Sequence, residues 1–148
     1  MHIYTDGACL GNPGAGGWGA IIRDGKDERV LSGGELHTTN NRMELTAVIR
    51  ALSALEGRQD VTVTTDSAYV VNAIKQGWLQ TWKAHGWRKK TGGTAKNNDL
   101  WNELDFLLRK HNVEFEWVKG HNGHPENERC DAIAEREASN YNILAQMS

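Results

Sequence analysis

Short runs of apolar residues, bounded by glycine and polar residues, open the chain and indicate β-strands. This pattern predicts strands over residues 2–9, 18–23 and 30–36. The glycine-rich stretch 10–19 is predicted to be a turn, and the polar stretch 24–28 a hairpin. Three strands with short links predict an antiparallel meander.

After the third strand, the apolar residues recur with the spacing of an α-helix. Five apolar residues at helical spacing predict a helix over residues 42–56: Leu45, Val48, Ile49, Leu52 and Leu55. A β-branched run then predicts a strand over 61–65 that ends at Asp66. The remaining patterns predict helices over 67–75, 78–85, 98–110 and 125–139, a strand over 113–118, and loops over 85–95 and 120–124.

The order of these elements indicates an α/β domain in which one mixed sheet is flanked by helices. A length of 148 residues predicts a single domain spanning residues 1–148. Hydrophobic residues make up 39% and charged residues 24%, as in ordinary globular proteins. We see no apolar patch larger than a core requires, so we expect a monomer.

Several protein classes are excluded by what the sequence lacks. No stretch approaches the ~18 consecutive apolar residues of a membrane helix. The N-terminal residues lack the basic and apolar regions of a secretory signal. Two cysteines, Cys9 and Cys130, without a CxxC motif argue against a disulfide framework or a zinc site. We therefore expect a reducing, cytoplasmic location.

The net charge of −2 conceals an uneven distribution. Residues 67–98 contain six basic and no acidic residues, whereas the rest of the chain has 11 basic and 19 acidic residues. The same segment contains three tryptophans, Trp78, Trp82 and Trp87. They can form a small satellite core with a solvated basic rim. Alternatively, they form a basic, tryptophan-rich protrusion over about residues 77–97 that binds nucleic acid.

Four dispersed acidic residues are candidates for chemistry, although each also has a structural interpretation. Asp6 can be a turn residue before a glycine. Glu44 can belong to a capping box with Asn41, and Asp66 can cap the helix that follows it. Asp131 can lie on a solvated helix face. If the four are functional, carboxylates without a cysteine or histidine cluster favour a hard cation such as magnesium.

Taken together, these residues resemble the bacterial ribonuclease HI family of type 1 ribonucleases H. The matching motifs follow one another in order across nearly the whole chain: YTDGAC at 4–9, GNPG at 11–14, TTNNRMEL at 38–45, TDS at 65–67, WVKGH at 117–121 and PENERCD at 125–131. The tryptophan-rich basic segment lies between the fourth and fifth of these blocks. The combination is far more specific than any single motif.

The resemblance implies a ribonuclease H-like fold, with three antiparallel N-terminal strands and two parallel additions. It implies an endonuclease that cuts the RNA strand of RNA–DNA hybrids with little regard to sequence, leaving 5′-phosphate and 3′-hydroxyl ends. It also implies two Mg²⁺ ions, replaceable by Mn²⁺, held by Asp6, Glu44, Asp66 and Asp131. His121 would assist proton transfer or product release.

The resemblance also implies how the hybrid is held. Cys9, Asn12 and Asn40 would lie along the RNA strand, while Thr39 and Asn97 would hold a DNA phosphate. Trp82 would line the channel for the DNA strand, and Trp78 would also bind the substrate. The basic side chains of the protrusion would be Lys83, Arg88, Lys89, Lys90 and Lys96. Two positions depart from the family pattern: Ala68 replaces a common glutamine, and His37 replaces a common arginine. We hypothesise that both weaken substrate binding.

Two other functions remain open on the sequence alone. One is a noncatalytic module that binds RNA–DNA hybrids or double-stranded RNA, although such a module gains nothing from carboxylates near phosphates. The other is a related two-metal nuclease such as a junction resolvase, against which the tryptophan-rich segment and the asparagine-rich motifs argue. Cleavage assays on these substrates discriminate among the three.

Overall fold

The structure is a computed structural model that describes residues 1–77, 80, 81, 84, 97–119 and 124–147. Within these residues it contains five strands: β1 (His2–Gly11), β2 (Gly14–Asp24), β3 (Asp27–Thr38), β4 (Asp60–Thr65) and β5 (Asn112–Trp117). It also contains four helices: α1 (Asn40–Ser53), α2 (Ala68–Lys75), α3 (Asn98–Lys110) and α4 (Pro125–Gln146).

The five strands form one mixed sheet in the order β3-β2-β1-β4-β5. β1 pairs with β2, and β2 with β3, in antiparallel fashion. β4 adds parallel to β1, and β5 adds parallel to β4. The predicted α/β class and the predicted sheet, three antiparallel strands followed by two parallel ones, are therefore confirmed.

The main core lies between the sheet and α1, because α1 presents an apolar stripe to β1 and β2. Met43, Leu45, Val48 and Leu52 of this stripe are fully buried. Helix α3 packs against α1 and contributes the fully buried Trp101. Helix α4 packs against β1, β2 and β3. As a result, the two helices that carry Glu44 and Asp131 both pack against β1, the strand of Asp6.

The predicted turn over residues 10–19 is wrong, because β2 begins at Gly14 and leaves only Asn12 and Pro13 between the strands. The glycines of β2 instead allow α4 to approach closely. A Cβ atom on Gly17 would lie 2.3 Å from the carbonyl oxygen of Ala134 and 2.4 Å from the amide nitrogen of Ala138. Glycine at this position thus marks helix-on-sheet packing rather than chain reversal.

The last helix continues to Gln146, beyond the predicted end at residue 139. Its extra turns contact the sheet through Tyr141, whose Cδ2 atom would lie 2.6 Å from a Cβ atom on Gly34. The other predicted elements that lie among the described residues begin and end close to the observed ones, except that the first three strands are longer than predicted. The predicted helix over 78–85 and the loops over 85–95 and 120–124 fall outside the described residues, apart from Gln80, Thr81, Ala84 and His124.

None of the helices in the described part of the chain combines the length and the apolar character of a membrane span.

Candidate active site

The sheet brings Asp6 and Asp66 together. Thr5 of β1 pairs in parallel with Thr65 of β4, so the residues that follow them, Asp6 and Asp66, are neighbours across the sheet. Asp66 does not cap α2, because Ser67 does so by accepting a hydrogen bond from the Val70 amide at 3.2 Å. The structural interpretation of Asp66 as a helix cap is therefore wrong.

The backbone around Asp66 is held from the next strand. The indole N–H of Trp117, at the end of β5, donates to the Asp66 carbonyl oxygen at 3.2 Å. The amide of Val118 donates to the Thr65 carbonyl oxygen at 3.0 Å. These two hydrogen bonds extend the parallel pairing past the end of β4, so the Asp66 main chain is fixed although it lies beyond a strand.

The side chain of Glu44 extends from α1 towards Asp6 and Asp66. The cap of α1 is Thr39, whose side chain accepts from the Arg42 amide at 3.3 Å, so the capping-box interpretation of Glu44 is wrong. Glu44 is 4% exposed, and its Oε1 accepts a hydrogen bond from the Gly7 amide. A Cβ atom on Gly7 would lie 2.6 Å from the Glu44 amide nitrogen, so glycine is what lets α1 lie against β1.

One carboxylate oxygen from each of Asp6, Glu44 and Asp66 lies within 4.8 Å of the other two. Burial raises the pKa of Asp6 well above its usual range, and the charge of Glu44 adds to this shift. Burial likewise raises the pKa of Glu44, to about 7. Among the described residues the buried Oε2 of Glu44 has no hydrogen-bond partner. Three converging carboxylates, one of which has an unsatisfied oxygen, fit a divalent cation.

Helix α4 contributes the fourth predicted carboxylate. Asp131 lines the same cavity as Asp6 and Asp66, and Lys119, His124 and Asn127 complete much of its wall. Within the described residues, the group of mutually close carboxylates contains three members and does not include Asp131. A side-chain hydrogen bond with Asp131 nevertheless contributes to the raised pKa of Asp6, after the larger effect of burial.

Two of the three residues predicted to contact RNA lie on the wider groove that leads to this cluster. Cys9 and Asn40 line the groove together with Asp6, Glu44 and Asp66. The side-chain oxygen of Asn12 accepts from the Asn40 amide at 3.1 Å, which ties the β1–β2 turn to the start of α1. Ala68, the first residue of α2, also lines this groove.

Sequence reasoning missed two residues beside Asn97, namely Arg42 and Tyr69. The Asn97 side chain accepts from Arg42 at 3.2 Å and donates to the Tyr69 hydroxyl at 3.1 Å. Tyr69 lines the same groove as the carboxylates. In the sequence, Tyr69 has helical spacing with Val70 and Ala73, which indicates only an apolar helix face. The position of Tyr69, three residues after Asp66, was the available signal for a role in the site.

Several predicted residues lie outside the described part of the chain and stay predictions. They are His121 and the side chains of the basic, tryptophan-rich protrusion: Trp78, Trp82, Lys83, Arg88, Lys89, Lys90 and Lys96. His37 is described and exposed, near the end of β3.

A family model described as RNase H matches residues 1–139. The chain belongs to the ribonuclease H family. Ribonuclease HI of Neisseria meningitidis serogroup B is 53% identical over 95% of this chain and 97% of its own length. Ribonuclease H of Dinoroseobacter shibae is 58% identical, over 90% of this chain and 88% of its own length. The predicted family and the predicted enzyme class, ribonuclease H, are confirmed.

Solved structures of other ribonucleases H share the fold. LC9-RNase H1, a type 1 RNase H with the type 2 active-site motif, is 36% identical and superposes with a TM-score of 0.82 over 95% of this chain and 72% of its own. LC11-RNase H1, in complex with an RNA/DNA hybrid, is 23% identical and has a TM-score of 0.73 over 94% of this chain and 96% of its own. The second likeness bears on the ribonuclease H fold alone.

Proposed function

We propose that this protein hydrolyses the RNA strand of RNA–DNA hybrids with two Mg²⁺ ions held by Asp6, Glu44, Asp66 and Asp131. The observation that carries the proposal is the convergence of three buried or half-buried carboxylates from β1, α1 and the end of β4. Like charges at this distance repel, and divalent cations remove that repulsion. Membership of the ribonuclease H family and its similarity to ribonucleases HI support the same reaction.

Bound cations of this kind polarise an attacking water and stabilise the leaving oxygen of an in-line displacement. The protein's own contribution is to hold the carboxylates that would bind the cations in fixed positions. The Gly7 amide fixes Glu44, and the Trp117 indole fixes the main chain at Asp66. We propose that His121 moves a proton during the reaction or product release. The expected products carry 5′-phosphate and 3′-hydroxyl ends.

We propose that the groove beside the carboxylates holds the hybrid with little regard to base sequence. Cys9, Asn12 and Asn40 would contact the RNA strand, whose 2′-hydroxyls distinguish it from DNA. Thr39 and Asn97 would hold a phosphate of the DNA strand. The basic, tryptophan-rich protrusion would add contacts that weaken with salt. The similarity to ribonuclease HI of Neisseria meningitidis, 53% identical over 95% of this chain, supports this substrate class.

We propose that the whole chain forms one catalytic domain that acts as a cytoplasmic monomer. Its two cysteines, Cys9 and Cys130, are both free, as expected in a reducing compartment. A single five-stranded sheet within the described residues supports one domain. Light scattering at micromolar concentration tests the monomer directly, and a dimer mass would contradict it.

One cleavage assay tests the proposed function. The protein is incubated with end-labelled RNA–DNA hybrid, duplex DNA, duplex RNA and a four-way junction, in Mg²⁺ or Mn²⁺ and with EDTA as control. We expect metal-dependent cutting of the RNA strand of the hybrid alone. Folded protein that binds the hybrid without cutting it would point to a noncatalytic module, and cutting of the junction would point to a resolvase.

A further inference from the structure

The groove beside the carboxylates has an unexpected charge for a surface that would hold nucleic acid. Among the described residues that line it, five are acidic and none is lysine, arginine or histidine: Asp6, Glu44, Asp66, Asp131 and Glu135. Four of these five acids would hold the cations. Glu135 is the fifth, and the proposed reaction gives it no role.

Helix geometry places Glu135 one turn beyond Asp131. Residues four apart on a helix lie on the same face, with about 5–6 Å between their Cβ atoms, and both of these residues of α4 line the groove. Glu135 is exposed, and within the described part of the chain no lysine or arginine forms an ion pair with it. Other acids of α4 do have partners, since Glu126 pairs with Arg23 and Glu137 accepts a hydrogen bond from β3.

The proposed cations do not neutralise Glu135. Two Mg²⁺ ions carry four positive charges, which match the four negative charges of the ionised carboxylates that would hold them. The charge of Glu135 is left over, in the same groove as Cys9 and Asn40, which would contact the RNA strand. An ionised carboxylate and a phosphate linkage are both acceptors and both negative, so the two groups repel.

We propose that Glu135 limits the affinity of the groove for its substrate: its carboxylate repels a backbone phosphate of the RNA strand, so that the hybrid binds less tightly than it would without this charge. This inference rests on the proposed function, because it requires a hybrid in the groove. Glu135 is exposed, so salt screens the repulsion, with a screening length of about 10 Å at 0.1 M ionic strength. Glu135 therefore makes hybrid affinity less dependent on salt, since it opposes binding most at low salt, where the attractive phosphate contacts are strongest.

The test is Glu135→Gln, which removes the charge and keeps the size and the helix propensity of the side chain. Hybrid affinity is measured by fluorescence anisotropy in an Asp66→Asn background with Mg²⁺, from about 50 to about 500 mM salt. We expect Kd to fall about two- to fivefold at the lowest salt, as for the loss of one exposed charge interaction. This gain should fade as salt rises, because salt removes the repulsion from the protein that retains Glu135.

Two further variants bracket the effect. Glu137→Gln, the same change on the face of α4 towards β3, is the matched control and should leave Kd unchanged. Glu135→Lys replaces repulsion by attraction, so it should lower Kd further and steepen the slope of log Kd against log salt by about 0.9, the value for one added phosphate contact. With native carboxylates, KM for hybrid should fall in the same order, from glutamate to glutamine to lysine at this position.

Modified substrates identify the phosphate that Glu135 repels. Hybrids carry one uncharged methylphosphonate at a time in the RNA strand, with a 2′-O-methyl ribose at the modified nucleotide. Each is compared with a hybrid that has the same ribose beside a charged linkage. At one linkage, neutralisation should abolish the advantage of Glu135→Gln over the protein that retains Glu135, because the charge that this side chain repels is no longer present.

A Kd for folded Glu135→Gln that equals or exceeds the value with Glu135 at the lowest salt overturns the inference. So does a gain in affinity that persists undiminished at the highest salt, or one that survives neutralisation of every linkage in the RNA strand. If the folded Asp66→Asn protein fails to bind hybrid at all, it is the proposed function that is wrong, and this outcome is recorded before Glu135 is changed.

Discussion

Acidic side chains in two regions of this protein have contrasting environments, one beside arginines and the other buried among further acids. Glu28 on β3 accepts hydrogen bonds from Arg129 at 2.7 Å and Arg23 at 3.0 Å, and these arginines lower its pKa to about 2. Asp6 and Glu44 instead lie next to each other, and burial raises the pKa of both. The same functional group is thus made more acidic at one end of the fold and less acidic at the other.

This comparison distinguishes an acid that stabilises the fold, Glu28, from acids that are placed to bind a cation, Asp6 and Glu44. Glu28 joins β3 to α4 across the surface through Arg129, and an exposed ion pair of this kind contributes little to stability. The gathered acids disfavour folding when empty, since burial and mutual repulsion oppose their ionisation. A bound cation would offset this unfavourable free energy by neutralising the carboxylates. The following predictions test this contrast, from the largest expected effect to the smallest.

Asp66→Asn should reduce hybrid hydrolysis at least about 1000-fold, because it removes a charge that would hold a catalytic cation. Binding of the hybrid should persist. Single-turnover cleavage and fluorescence anisotropy on the same preparation measure the two effects, with Glu28→Gln as the matched carboxylate-to-amide control. Near-full turnover would show that Asp66 is not a metal ligand.

Divalent cations should stabilise the folded protein through the gathered acids alone. At a hundredfold excess over Kd, one bound Mg²⁺ would add about 2.7 kcal/mol to the free energy of unfolding. Urea unfolding with Mg²⁺ and with EDTA measures the difference. Glu28→Gln should keep the difference, and Asp6→Asn should lose most of it. Equal stabilisation of both variants would place the cation elsewhere.

Glu44 should contribute a loss of stability to the metal-free protein as pH rises from about 4.3 to 7. In this window the unfolded chain has released the proton of Glu44, whose usual pKa is about 4.3, while the folded protein still binds it because its pKa is about 7. The slope is at most about 1.4 kcal/mol per pH unit for each such proton. Urea unfolding across the window measures it.

The contribution of Glu28 to stability depends on pH in the opposite direction. Its lowered pKa contributes stability that is present above the usual carboxyl pKa and lost as pH falls toward 2. Glu44→Gln should reduce the fall in stability between about pH 4.3 and 7 without abolishing it, because the pKa of Asp6 is also raised, and Glu28→Gln should leave the fall in place. A dependence of stability on pH over this window that is the same with Glu44 and with Glu44→Gln in metal-free protein would contradict the account of the carboxylates.

Ala68→Gln and His37→Arg restore the residues common in relatives and should each lower KM for hybrid a few-fold, with kcat retained. The glutamine would add a hydrogen-bonding group at the groove that Ala68 lines. The arginine would add a bidentate donor for phosphate. Steady-state kinetics on hybrid measure both, and unchanged KM in both variants would refute the hypothesis of weakened binding.

Much of the fold was predictable because its local and long-range signals agree. The apolar spacing in α1 and the β-branched run of β4 identified these elements from the sequence. The glycines of β2 led to a wrong prediction of a turn. Gly17 instead makes room for the backbone of α4, which lies more than 100 residues away in sequence. The end of α4 was missed because Tyr141 is held by packing on β3 rather than by periodicity.

The candidate site was predictable by resemblance and not by local pattern. Glu44 and Asp66 sit where a capping residue is expected, and only the fold reveals that Thr39 and Ser67 fill those roles. Asp131 lies among other acids of α4, so nothing local distinguishes it. Tyr69 was missed because its ring follows the apolar spacing of α2 while its hydroxyl faces Asn97.

The central claim is that four carboxylates hold two divalent cations. The most direct test is anomalous diffraction from crystals of the Asp66→Asn protein with RNA–DNA hybrid and Mn²⁺, since the asparagine keeps one oxygen able to coordinate. The account predicts two manganese peaks about 3.5–4 Å apart, both in contact with Asp6, one also with Glu44 and the other also with Asp131. A single peak, or peaks away from Asp6, would contradict it.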